Sequence, residues 1–431
     1  MFSLYLIDSS YVTHTLYLFM EEIRNKENVL NQGSFFNRIP VNDKNSPSVR
    51  SILSFLAHKT FCSIGEISEH CGISVPTTSK FVRNLIDSGV VRELGRHHKV
   101  GGRMPKMYSL CPSLGYVIGV DIRRNGYYFG LMDFSGEMLK TSPFTPYVFN
   151  EETSAEDFAA DLLESFVTLG INTASVLFVA ISVPGRVNTF TGESYNFFKK
   201  GSRTATDIIS SVIGIPVVLD NDSRLMCYGE YINSGLLDHK NILYINIGWG
   251  LGMGMILDGH LYYGANGFSG ELGHIPIFDN EIFCHCGKKG CLETEASGSA
   301  AYRQLKIRHA AGARSTLSHI IEKDESITSE MLVKAVKEGD MLMIEITEEL
   351  GAQLGKGLAA MINVLNPELV ILGGPISLAG DHLLMSAVNS TRKYSINIVN
   401  KATRIILGSD NEDITIYGAC HLARAKVIGS I

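Results

Sequence analysis

Apolar residues recur at helical spacing near the start of the chain, where Val49, Ile52, Leu53 and Leu56 form one stripe that predicts a helix. Ile64 and Ile67 continue the pattern on a second short helix, which Cys71-Gly72-Ile73 breaks. A third helix begins at Ser74, whose hydroxyl can cap it, and turns Val75, Thr78, Val82, Leu85 and Ile86 inward; Gly89 ends it. Two β-rich runs follow, Val90–Leu94 and Lys106–Leu110, around a polar stretch holding Gly95, Arg96, His97, His98, Lys99, Gly101, Gly102 and Arg103. Three helices followed by such a hairpin predict a winged helix-turn-helix over residues 47–112. Residues 1–46 are expected to be an extension and linker, since 26–47 are polar and carry Gly33, Asn42, Asp43, Asn45 and Pro47.

Beyond Pro112 the pattern changes to strands around glycine turns. Tyr116–Asp121 and Tyr127–Met132 read as a hairpin, and Ser175–Val183 and Val217–Leu219 as buried strands. Asn241–Ile247 pairs with Gly252–Leu257 ahead of an Asp258-Gly259 turn. Helical periodicity holds from Ile344 to Leu365, and a strand follows at Leu369–Leu372. Alternating units of this kind predict an α/β domain too long for one core.

Charge divides the chain. From Val49 to Leu110 nine basic residues face four acidic ones, a net +5, whereas the whole chain is −6. A basic module on an acidic protein fits a polyanion. Duplex DNA suits the module's shape: Ser74, Thr77, Thr78, Ser79, Lys80 and Arg83 cluster at the start of the third helix, where hydroxyls and cations can reach base edges and phosphates. Arg103, set among glycines, suits a minor groove. A basic helical module that contacts protein is the bland alternative. The first twenty residues are interrupted by Asp8 and His14 and have no basic lead, so no membrane span or export signal is expected and the location reads as cytoplasmic.

Three of the eight cysteines, Cys284, Cys286 and Cys291, stand together, and His274 precedes them. Three thiolates and an imidazole make a tetrahedral zinc set, with Gly287 and Gly290 letting the chain fold tightly around it. Four protein ligands leave no position for an activated water, which makes the expected role structural. Free or redox-active thiols are the alternative. Cys62, Cys71, Cys111, Cys227 and Cys420 lie among apolar neighbours and read as small buried hydrophobes.

The stretches GISVPTTSKFVRNLIDSGVV, VGGRMPKMYSL, SVPGRVN, DND, GHLYYGANGFSGELGH, CHCGKKGCLE and LNPELVILGG, in this order, resemble the repressor, open-reading-frame and kinase (ROK) family of sugar kinases and sugar-responsive regulators. The resemblance runs from about Pro47 to the C-terminus. It implies a two-lobed actin-like fold of the sugar kinase (hexokinase, ribonuclease H-like) type over 113–431. One lobe would span about 113–235 plus the C-terminal helix, and the other about 236–412. It assigns the same four zinc ligands. It places Gly185, Arg186, Asn196, Asn221, Glu271, His274 and Glu293 around a sugar, and Asp222 at the position of the kinases' catalytic base, a role that a sugar hydrogen bond would also explain.

The nucleotide side departs from the family. Where the kinases read Asp-x-Gly-Gly-Thr, this chain has Asp121-Ile122-Arg123-Arg124-Asn125, and where they read Gly-Thr-Gly it has Gly248-Trp249-Gly250. Bulk stands where backbone must approach phosphates, so ATP is not expected to bind and kinase activity is expected to be lost. Arg123 and Arg124 read either as a solvated turn or as partners for a sugar phosphate. The expected protein is a repressor that binds operator DNA as a homodimer or homotetramer and answers to a sugar or sugar phosphate. An active ATP-dependent kinase of glucose or N-acetyl amino sugars is the alternative.

Overall fold

The computed structural model describes residues 47–96 and 105–429. The expected linker over 1–46 and the wing-tip residue Arg103 lie outside them. Local chemistry sets the first helices. Pro47–His58 forms α1, and Ile64–Cys71 forms α2 behind a two-way cap in which the Ser63 hydroxyl accepts from the Glu66 amide and the Glu66 carboxylate accepts from the Ser63 amide. Gly72 leaves α2 at φ 64°, a left-handed turn that suits glycine. Val75–Asp87 forms α3, capped by Ser74. The antiparallel sheet β1 (Cys62–Ser63), β3 (Lys106–Leu110), β2 (Val91–Arg96) completes the expected winged helix-turn-helix, with Val91 opposite Leu110.

Two larger sheets share one topology. The first runs β11 (Val217–Asn221), β8 (Val176–Val183), β4 (Tyr116–Arg123), β5 (Gly126–Asp133), β6 (Met138–Thr141), with β7 (Thr145–Pro146) also on β5. The second runs β14 (His260–Leu261), β13 (Leu251–Leu257), β12 (Ile242–Ile247), β15 (Leu369–Gly373), β16 (Arg404–Leu407). In each, three antiparallel strands are followed by two parallel ones, which is the doubled arrangement the family resemblance implies. A small ribbon, β9 (Val187–Asn188) with β10 (Glu193–Ser194), borders the cleft between the sheets. The first sheet is covered by α4 (Ala155–Thr168) and α5 (Ala205–Ile213) on one face; α6 (Asp222–Asn233) leaves its β11 edge. The second half carries α7 (Gly298–Ala310), α8 (Ser318–Glu322), α9 (Ser329–Lys337), α10 (Met341–Leu365), α11 (Asp381–Tyr394) and α12 (Asn397–Ala402). The last helix, α13 (Ile414–Ile428), returns to the first sheet and packs on β4 and β8.

Burial corrects two sequence readings and adds a packing relation. Val75, expected to face inward, is 52% exposed, because Ser74 caps the helix one residue earlier and turns Val75 outward. Cys71 and Cys111 are only partly buried, unlike Cys62, Cys227 and Cys420. The basic module, distinct in charge, shares one apolar core with the rest of the chain, joining Val49, Ile52, Leu56, Val82 and Leu110 to Leu225, Tyr228, Ile416, Ala423 and Val427. Among the described residues no helix is long and apolar enough to cross a membrane.

Candidate sugar cleft, metal centre and nucleic-acid interface

All eight of the predicted sugar-facing residues converge. A cleft of about 310 Å³ between the two sheets is lined by Gly185, Arg186, Asn196, Asn221, Asp222, Glu271, His274 and Glu293. Gly185 sits at φ 84°, and a side chain there would press on Asn196 Oδ1, which accepts from the Arg186 amide at 2.9 Å. Asn221 caps α6 by accepting from the Arg224 amide, while its Nδ2 donates to the Gly185 carbonyl at 2.9 Å and so ties the end of β11 to the turn that follows β8 on the same wall of the cleft. Asp222 follows as the first residue of α6, its Oδ1 accepting from the Ser223 amide at 2.7 Å. Burial raises its carboxyl, the Ser223 amide lowers it and the nearby negative charge of Asp121 raises it again, to about 6.

Glu293 lines the cleft and also serves the protein. It is buried, its Oε2 accepts from the Leu251 amide at 2.9 Å, and its Oε1 lies 2.8 Å from His285 Nδ1. Each oxygen thus has a protein partner and keeps acceptor capacity toward the cleft, while Glu271 is exposed. His285 lines the cleft, a placement that its position within the cysteine loop did not suggest. Ser223, Asn246, Trp249, Met253 and Ser269 line it too, and none was singled out as sugar-facing from sequence. Asn246 is the instructive case: its Nδ2 donates to Ser223 Oγ at 3.0 Å across the cleft, a contact fixed by the register of β12 and invisible in a motif.

The four predicted metal ligands gather as well. One donor atom from each of His274, Cys284, Cys286 and Cys291 lies within 4.8 Å of every other. Tetrahedral zinc, with bonds of about 2.3 Å to sulfur and about 2.0 Å to nitrogen, needs S···S separations of about 3.8 Å and S···N separations of about 3.5 Å. Cys286 Sγ and Cys291 Sγ stand 3.7 Å apart, and Cys284 Sγ is 3.5 Å from His274 Nδ1, so the donor set fits such an ion. With Nδ1 turned to the sulfurs, His274 presents Nε2 toward the cleft, 3.7 Å from Glu271 Oε2. A second group, His274, His285 and Glu293, also meets a metal spacing, but one of its members is exposed and it holds no thiolate.

At the nucleotide side, Arg123 Nε donates to Asp121 Oδ2 at 3.0 Å and its guanidinium lies 4.7 Å from the centre of the Tyr128 ring. Arg123 and Arg124 do not line the cleft. The Trp249 ring stands 5.8 Å from that of Tyr302 on α7. Backbone amides at the start of α7 are already used, since Gly298 and Ser299 donate to the carbonyls of Gly248 and Trp249.

On α3, Ser74, Thr77, Lys80 and Arg83 are exposed and Ser79 is partly so. Thr78, expected among the DNA contacts, is fully buried with its hydroxyl donating to the Ser74 carbonyl at 3.1 Å, so it supports the helix and cannot reach a duplex.

Comparisons agree with this division. The ROK family profile matches residues 117–426, and that of a winged helix-turn-helix DNA-binding domain matches residues 46–92. The chain is 28% identical to the xylose repressor of Bacillus subtilis (strain 168) over 339 residues, covering 77% of this chain and 84% of that one. Among solved structures, a ROK family transcriptional regulator, described as a homolog of the E. coli MLC protein, superposes with a TM-score of 0.70 at 28% identity, covering 88% of this chain and 98% of that one. A ROK family glucokinase from Streptomyces griseus, in complex with glucose and AMPPNP, superposes with a TM-score of 0.61 at 27% identity, covering 72% of this chain and 99% of that one.

Proposed function

The chain belongs to the ROK family, and from that membership we propose that it is a sugar-responsive, DNA-binding repressor whose sensor no longer works as a kinase. One observation carries the reading: the sugar-facing groups are gathered in one cleft while Asp121, on the nucleotide side, is already paired with Arg123. A sugar in the cleft would accept from His274 Nε2 and donate to Asp222, Asn196 and Glu271. Residues 47–112 form the operator-binding unit, with Ser74, Thr77, Ser79, Lys80, Arg83 and Arg103 toward the duplex, and 113–431 form the sensor. Relatives named as xylose repressors support the regulatory role.

His274, Cys284, Cys286 and Cys291 would hold a structural zinc. When bound, the ion supplies no vacant position for chemistry; it fixes the loop that carries His285, Glu293 and His274 against the cleft. The protein acts as a homodimer or homotetramer, because two-fold operators are read by paired helices. Arg186 is the one arginine among the cleft-lining residues, so phosphorylated sugars belong beside free ones in any screen.

The test is direct. Duplexes enriched from a random-sequence pool are titrated with the full chain, with and without D-xylose, D-glucose, N-acetyl-D-glucosamine and their 6- or 5-phosphates, and sugar-dependent ADP release from ATP is followed in parallel. The reading expects a sugar to change duplex affinity and ADP release to stay at background. Turnover at an ordinary enzymatic rate would return the kinase alternative, and no enriched duplex would remove the DNA-binding role.

A further inference from the structure

We propose that α6 is the lever between the sugar cleft and the DNA-binding unit, and that the hydrogen bond from Tyr228 to His58 is the joint at its far end. The proposal rests on the sugar-responsive reading above. At its near end, α6 carries Asn221 as cap and Asp222 as first residue, both lining the cleft. Six residues on, about 9 Å along the axis, the buried Tyr228 hydroxyl lies 2.9 Å from His58 Nε2 at the end of α1. His58 Nδ1 is 2.6 Å from the Ser54 carbonyl, and a carbonyl can only accept, so Nδ1 carries the proton and Nε2 receives that of Tyr228. Burial lowers the His58 pKa, in keeping with this neutral ring.

The helix is built to feel closure of the cleft. On one side it meets the second sheet with no side-chain cushion: a methyl group at Gly252 would overlap Ser223 Oγ, and one at Gly254 would overlap Cys227 Cβ and the Ser223 carbonyl. On the other side, Gly229 and Gly418 bring α6 and α13 into backbone contact, where an added methyl would strike the carbonyls of Ile414 and Leu225 respectively. Close-packed helices transmit displacement because they cannot absorb it by side-chain adjustment. Asn246 on β12 is hydrogen-bonded to Ser223, so a shift of the second sheet on sugar binding pulls the first turn of α6 directly. The moved helix shares a core with α1, and α13 packs on both. Tyr228 and His58 are thus positioning residues, touching neither sugar nor duplex.

Tyr228→Phe removes the proton that His58 accepts and keeps the ring. His58→Gln offers an amide oxygen in place of Nε2, and His58→Leu offers none. Full-length proteins are compared by duplex titration with and without the three free sugars, and each protein's own sugar affinity is measured by calorimetry. If wild-type duplex affinity changes by about tenfold with sugar, Tyr228→Phe and His58→Leu are expected to cut that change to about threefold or less, with sugar affinity and sugar-free duplex affinity held within about twofold. His58→Gln is expected to keep more of the response than His58→Leu. Variants that respond as fully as wild type would overturn the lever while leaving the sugar-responsive reading intact. If no sugar alters wild-type duplex affinity, the lever and that reading fall together.

Discussion

Arg123 Nε donates to Asp121 Oδ2 at 3.0 Å, an arginine folded over the carboxylate that begins the altered nucleotide turn. Asp121 is 5% exposed, and its burial raises its pKa against the opposing charge of Arg123. Arg123 stands where the resemblance to the family's kinases implies a glycine. ATP or its non-hydrolysable analogue, with magnesium, is therefore expected to leave the melting temperature unchanged, while Arg123→Ala lowers it by removing the partner of a buried charge, a loss of about 1–3 kcal/mol. Differential scanning fluorimetry reads both, and nucleotide-dependent stabilisation of the wild type would contradict the first.

The metal centre predicts a stoichiometry. Purified protein is expected to carry one zinc per chain by atomic emission. Cys286→Ser, which withdraws one of four ligands, should weaken sugar binding by about tenfold or more, because ligand loss loosens the groups the ion positions. Full sugar affinity in zinc-free protein would show that the loop holds itself.

Asp222 predicts a pH dependence with a definite sign. Its carboxyl sits at about 6 when folded, above the usual 3.8, so the folded state binds the proton more tightly than the unfolded one. Its contribution to stability is complete at acid pH and is lost as pH rises through about 6. The melting temperature of Asp222→Asn should therefore gain on wild type between pH 4 and pH 7, by thermal melts in matched buffers across about three units. Sugar affinity should fall below about pH 6, where the carboxylate that accepts sugar hydroxyls becomes protonated. A gap between the two proteins that stays constant with pH would mean that Asp222 does not titrate in this range.

On α3, exposure separates contact from support. Lys80→Ala and Arg83→Ala are each expected to weaken duplex binding and to reduce the dependence of log affinity on log salt by about one. Thr78→Val removes the hydroxyl bonded to the Ser74 carbonyl, so it should cost about 1 kcal/mol of stability and leave the salt slope unchanged. Anisotropy titrations between low and physiological salt distinguish the two behaviours.

What could be read from the chain ahead of its folding was chemistry carried by neighbours in sequence. Ser74 before α3, the cysteines around Gly287 and Gly290, and the apolar runs of β4 and β5 each act over a few residues, and the structure gathers the metal ligands and the predicted sugar-facing residues as the motifs imply. The charge of the first module was legible for the same reason, since it is a property of composition.

The sequence by itself determined which elements form and which donors the protein owns. Tertiary structure decided how they are spent: that Glu293 gives both oxygens to Leu251 and His285, that Arg123 turns back on Asp121, that Asn246 reaches Ser223, and that Tyr228 meets His58 across 170 positions of chain. Most of these contacts depend on strand register and helix packing between distant segments, and Arg123, turned onto its near neighbour, also lies against the Tyr128 ring across the hairpin. A buried polar group takes whichever partner the folded backbone brings within about 3 Å.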